Sequence, residues 1–195
     1  MPEDFIQYIG LSSALLGSST LIIYIYTMIK GQSRPHIFTW LIWSILSAIG
    51  FAAQLSQNAG SGSWTLGLVA ALCAAITLLS LKYGSKDFSR RDMIALACAL
   101  GALIPWIILK DPILSVVLIS IINAIGFYPT FRKSWRQPHQ EHLIPYSLSS
   151  LAMTLSLFAL NEITISTSLY TITAALSNML FVVYSLWRRK MTIHA

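Results

Sequence analysis

Charge is what this sequence has least of. Only 10% of its 195 residues are Asp, Glu, Lys or Arg, against 55% apolar, and the mean hydropathy is +0.67. That is too few polar side chains to coat a soluble globule of this size, so the chain is predicted to be an all-α integral membrane protein. Cysteine is scarce as well. Cys73 and Cys98 are the whole complement; both fall inside predicted spans, where one disulfide is possible but unprompted, and they are read as small buried apolar residues. The apolar runs do not alternate at period two, which excludes a transmembrane barrel. A basic leader is missing too: the start carries Glu3 and Asp4, so the first helix is expected to remain as an uncleaved anchor.

The few charges divide the chain. Uncharged runs cover 5–29, 35–81, 93–109, 112–131, 142–161 and 163–187, each long enough for a span of roughly 17–25 helical residues. The run 35–81 is too long for one span, and its middle, Ser56-Gln57-Asn58-Ala59-Gly60-Ser61-Gly62-Ser63, reads as a polar, glycine-rich turn. Seven helices are therefore predicted, near Phe5–Ile29, Ile37–Leu55, Trp64–Lys82, Met93–Leu109, Pro112–Phe131, Leu143–Leu160 and Ser166–Trp187.

Twelve of the thirteen lysines and arginines then fall on one face, in the first, third and fifth loops and the C-terminus; Lys110 alone lies on the other. The positive-inside rule predicts a cytoplasmic C-terminus and an N-terminus outside. This placement accounts for the +6 net charge through topology and anionic headgroups, and no nucleic acid is invoked.

Helices one to three correspond weakly to helices five to seven. Ile29 to His36 aligns with Arg132 to His139 at an offset of 103, bringing the two Pro-His pairs together. Trp40 to Phe51 aligns with Ser147 to Phe158 at 107, and Leu79 to Lys82 with Tyr184 to Trp187 at 105. A three-helix unit ends on the face opposite its start, so helix four restores the second unit to the first one's orientation. The plan is 3+1+3: a first three-helix unit over 1–87, a linker helix over 88–111 and a second unit over 112–195, the two units being parallel internal repeats.

This plan, together with Gly126-Phe127-Tyr128-Pro129-Thr130-Phe131-Arg132-Lys133-Ser134-Trp135 and the segment from Ser177-Asn178-Met179 to Tyr184, resembles the SWEET and PQ-loop repeat superfamily of small transporters. The chain is similar to a seven-helix bacterial branch of it. Thr130 follows Pro129 where the family signature has glutamine, and Cys73 stands on helix three where an asparagine would pair with Asn178. The resemblance implies a solute pathway between the two units, with Asn178 and Cys73 beside it.

No enzyme constellation is visible, and no cofactor or resident metal is implied. His36, His139, His142 and His194 sit in loops or tail, and no ionisable side chain falls at mid-membrane depth. A coupled pump ordinarily carries one there, so facilitated movement of a neutral or zwitterionic metabolite, such as a sugar, is the expected activity. The alternative is a non-transporting accessory or assembly protein whose polar residues only join helices. Asn123 and Asn178 are the candidate solute ligands, because an amide in hydrocarbon must find donors and acceptors. Trp40 and Trp43, three residues apart, would offer a flat stacking wall. Pro129, near the end of helix five, and Pro105, inside helix four, are the candidate hinges. The expected partners are the lipid bilayer and a small-molecule solute, and whether copies form a homo-oligomer is left open by the sequence.

Overall fold

A computed structural model describes residues 3–32, 35–84, 90–109, 111–127, 130–131, 134–135, 138 and 143–193. Their elements are helical: α1 (Glu3–Ile29), α2 (Ile37–Ser56), a 3-10 turn (Gly60–Ser63), α3 (Trp64–Tyr83), α4 (Arg90–Gly101), α5 (Ile104–Leu109), α6 (Pro112–Gly126), α7 (Leu143–Phe158) and α8 (Ile165–Ile193). No β-strand occurs among the described residues. Four segments are long and apolar enough to cross a membrane: Glu3–Ile29, Ile37–Ser56, Gly60–Tyr83 and Ile165–Met191.

The other helices depart from the expected lengths. The fourth is not one continuous span but two segments, interrupted at Ala102 and Leu103. Pro105 is the second residue of α5, a position where the amide it lacks would have no partner inside the helix. It thus begins a helix instead of kinking one from within. The helix α6 stops at Gly126, five residues before the expected end, where the Phe127 amide folds back onto the Ala124 and Ile125 carbonyls. With 15 residues in α6 and 16 in α7, each rises only about 22–24 Å at 1.5 Å per residue. Pro129, the other hinge candidate, lies outside the described residues, as do His139 and His142.

Hydroxyls explain how so many polar residues fit in apolar helices. Ser18, Ser19, Thr77, Ser80, Ser120 and Thr173 each donate to a carbonyl three or four residues earlier, which satisfies the group within its own helix. Ser13 donates likewise to the Gly10 carbonyl at 2.8 Å and also bonds the Thr65 hydroxyl at 2.7 Å, joining α1 to α3.

Packing places α3 against both α1 and α2, and α8 against both α6 and α7. Across the middle, α1 packs on α7 and α2 on α6, while α4 leans on α2 and α5 on α6. Small residues permit these approaches. A Cβ on Gly50 would lie 2.7 Å from the Tyr170 ring, and one on Gly17 would lie 3.3 Å from Ala152. The central core joins Leu46, Ile49 and Leu66 to Val116, Ile119 and Met153.

At one end of the bundle the Gly60–Ser63 turn is tied to the α7–α8 connection. The Asn161 amide donates to the Ala59 carbonyl at 2.9 Å and the Gly62 amide to the Ala159 carbonyl at 2.8 Å. Gly60 has φ +74°, where a side chain is strained. Gly62 has a different constraint: a Cβ there would lie 2.5 Å from the Ser156 carbonyl oxygen and 2.8 Å from the Ala159 backbone. Backbone cannot yield as a side-chain tip does, so Gly62→Ala should destabilise the protein by about 1–3 kcal/mol, read as a lower unfolding midpoint in detergent. An unchanged midpoint would contradict this close packing of the two connections.

Candidate functional site

The opposite end carries basic residues beside aromatic rings. The Lys30 ammonium lies 5.6 Å from the Tyr26 ring centre, that of Lys82 5.2 Å from Tyr83, and the Arg188 guanidinium 4.1 Å from Trp135. Such groupings suit the headgroup level of a bilayer. The two ends are called here the basic end and the turn end.

Contacts of α8 with the chain just after α6 fix the register of the two helices. The rings of Phe127 and Phe181 lie 6.5 Å apart and those of Phe131 and Tyr184 5.0 Å; further along, Ser134 bonds Ser185 at 2.9 Å. Residue numbers rise together in both segments, so the helices run parallel. One turn before this layer, toward the bundle middle, come Asn123 on α6 and Asn178 on α8. Parallel register therefore puts the two candidate amides at matching depth, on packed helices.

Their hydrogen bonding is complementary. Asn123 is 7% exposed, and its Nδ2 is buried without an acceptor. Asn178 is half-buried and donates its Nδ2 to the Ala174 carbonyl of its own helix at 2.8 Å. It makes no hydrogen bond to another helix among the described residues, which leaves its carbonyl oxygen as the available group. One helix thus offers an amide donor and the other an amide acceptor. A buried donor without a partner costs about 1–3 kcal/mol, and natural structures rarely tolerate one unless something else fills the role.

The remaining candidates lie apart from this pair. Cys73 is 1% exposed and packs with Met28, Trp40 and Ile76 in the core between α1, α2 and α3. Trp40 is buried there and contacts Tyr24, ring centres 4.7 Å apart. Trp40 and Trp43 meet edge to face at 86°, so the two rings do not form one flat wall. Cys98 is exposed, against the expectation that it is buried, because α4 and the turn after it turn Ala99 and Ala102 inward instead.

Two features escaped the sequence reading. Gln54 on α2, 1% exposed, donates through Nε2 to the Thr167 carbonyl at 2.6 Å and to the Thr171 hydroxyl at 3.1 Å, while its Oε1 has no donor. At the turn end a cleft of about 490 Å³ is lined by Glu3, Gln7, Asn58, Ser61, Trp64 and Asn161 among others. An amide near the end of an apolar run is the sequence signal by which Gln54 could have been found. No group of three or more His, Cys, Asp or Glu side chains placed to hold a metal ion occurs among the described residues.

No protein-family model, curated protein or solved structure matches the chain.

Proposed function

We propose that the chain is a small-solute membrane transporter of the SWEET and PQ-loop kind, moving a neutral or zwitterionic hydroxylated metabolite such as a sugar without ion coupling. Its plan is 3+1+3, with α1 to α3 as one unit, α4 and α5 as the linker, and α6 to α8 as the other. One observation carries this reading. Exchanging α1 with α6, α2 with α7 and α3 with α8 leaves the packing pattern unchanged: the third helix of each unit lies against the other two, and the first helix of each packs on the second helix of the other. Two equivalent units facing each other provide a seam down which a solute can pass.

Asn123 and Asn178 are the proposed solute ligands. A hydroxyl both accepts and donates, so it can take the Asn123 amide proton and give its own to the Asn178 carbonyl. Uncharged ligands suit an uncharged solute, and no Asp, Glu, Lys or Arg occurs in α6 or in the part of α8 before Arg188 to hold a coupling ion beside them.

The proposed orientation has the basic end in the cytoplasm and the N-terminus outside, in a bacterial inner membrane. Reporter fusions after Ser89 and Arg189 should give a cytoplasmic signal, and fusions at Gly60 and Asp111 the opposite one. A cytoplasmic signal at Gly60 would overturn the topology. Solute counterflow in proteoliposomes tests transport itself: saturable exchange of at least one sugar, amino acid or similar metabolite is expected. Exchange no faster than in protein-free liposomes would leave the accessory-protein reading in its place.

A further inference from the structure

The turn end holds two side-chain amides that reach across the seam in opposite directions. Gln54, near the end of the first unit's second helix, donates to Thr167 and Thr171 of the second unit. Asn161, just past the end of the second unit's second helix, donates through Nδ2 to the Asn58 carbonyl of the first at 2.8 Å. The two positions correspond at the offset of 107 that aligns these helices in the sequence. We propose that Gln54 and Asn161 form a reciprocal clasp that closes the turn end of the bundle and is released when that end opens. The proposal rests on the transport reading for its purpose, though not for its test.

The chemistry of each bond fits a reversible fastening. Thr167 is a firm anchor, since its hydroxyl donates to the Glu162 carbonyl at 2.8 Å and accepts from the Thr164 amide at 2.9 Å. Gln54 is only half satisfied in the closed arrangement, because its buried Oε1 lacks a donor. Opening would break the two bonds of Nε2 while hydrating Oε1, so part of the loss is recovered and the closed state is favoured by a modest remainder. Asn161 differs in being exposed. It lines the cleft together with Asn58, so water or a polar solute reaches its bond without any helix moving. The outer half of the clasp is accessible, and the inner half is sealed.

Spin labels at Gln57→Cys and Glu162→Cys, both exposed and on opposite units, report the separation across the turn end. A Cys98→Ala background leaves Cys73, which is buried. Distances measured in liposomes without added solute should show one dominant short population for the clasped protein. Gln54→Leu combined with Asn161→Ala should raise a longer-distance population about tenfold, as expected for losing hydrogen bonds of ordinary net strength. Ser44→Ala, which removes a hydroxyl bonded to Ala70 within the first unit, should leave the distribution as it was. Should Gln54→Leu fail to fold, the exposed Asn161→Ala change carries the test alone, with a smaller increase expected. An unchanged distribution in folded protein lacking the clasp overturns the proposal. Opening without solute exchange would retain the clasp and remove the transport reading, and exchange without opening would do the reverse.

Discussion

Asn178→Ala should abolish solute exchange while leaving the unfolding free energy within about 0.5 kcal/mol of the parent. An amide that joined helices would cost roughly 0.6–2 kcal/mol when removed. The bond Asn178 makes runs to Ala174 on its own helix, so no helix contact is lost with it. Asn123 gives a sharper contrast. Its buried Nδ2 has no acceptor, and Asn123→Leu removes that unsatisfied donor at similar volume. The leucine variant should be as stable as the parent or up to about 1 kcal/mol more stable, yet inactive in exchange. Stability gained as activity is lost is the mark of a group kept for binding. Thermal unfolding in detergent and counterflow on the same preparations check both halves, and full exchange by folded Asn178→Ala protein would remove that residue from the site. Cys73→Asn is a different matter, because the buried packing around Cys73 leaves no evident room for an added amide.

Phe181→Ala has the largest expected effect on stability. The ring is fully buried and lies at the centre of an aromatic cluster: its centroid is 4.5 Å from Tyr146, 5.4 Å from Phe131 and 6.5 Å from Phe127. Tyr146 comes from α7, and Phe127 and Phe131 from the chain just after α6, so one side chain of α8 joins α7 to the end of α6. Within a bilayer the lipid is as apolar as the core, and what the alanine loses is packing against its neighbours. A loss of about 3 kcal/mol is expected, at the lower end of the range for phenylalanine truncations in cores. Phe158→Ala, at an exposed phenylalanine on α7, is the matched comparison and should change stability by less than about 0.5 kcal/mol. Equal effects at the two positions would contradict the cluster.

The positions of the first three helices were legible because punctuation surrounds them. Lysines follow α1 and end α3, and the glycine-rich segment Ser56 to Ser63 separates α2 from α3, so the expected Ile37–Leu55 and Trp64–Lys82 meet the observed Ile37–Ser56 and Trp64–Tyr83. Helix four offered no such mark. Its uncharged run looks like one span, and Pro105 is compatible with either a kink or a fresh helix start; only the backbone shows the second, with the turn at Ala102 and Leu103. Of the site, residue types were legible and partners were not. Asn123 and Asn178 stand out as amides in apolar runs, but their shared depth follows from the parallel register of α6 and α8, which no local pattern encodes. Trp40 and Trp43 share a helix face by spacing, yet their ring angle depends on Tyr24 from another helix. Gln54 went unread because it lies two residues before the polar turn and passes for part of it.

Uncoupled movement of a neutral solute is the central claim, and uptake into proteoliposomes under controlled gradients tests it most directly. Purified protein is reconstituted, and initial uptake of the best solute from a panel of sugars, amino acids and small metabolites is measured with no ion gradient, with an imposed pH gradient and with an imposed sodium gradient. The account predicts saturable uptake that stops when the solute concentrations equalise and has the same final level in all three conditions, because no Asp, Glu, Lys or Arg lies in the helix segments around Asn123 and Asn178 to bind a coupling ion. Accumulation above the outside concentration when either ion gradient is applied would contradict it, and so would uptake by folded protein no faster than leakage into protein-free liposomes for every solute in the panel.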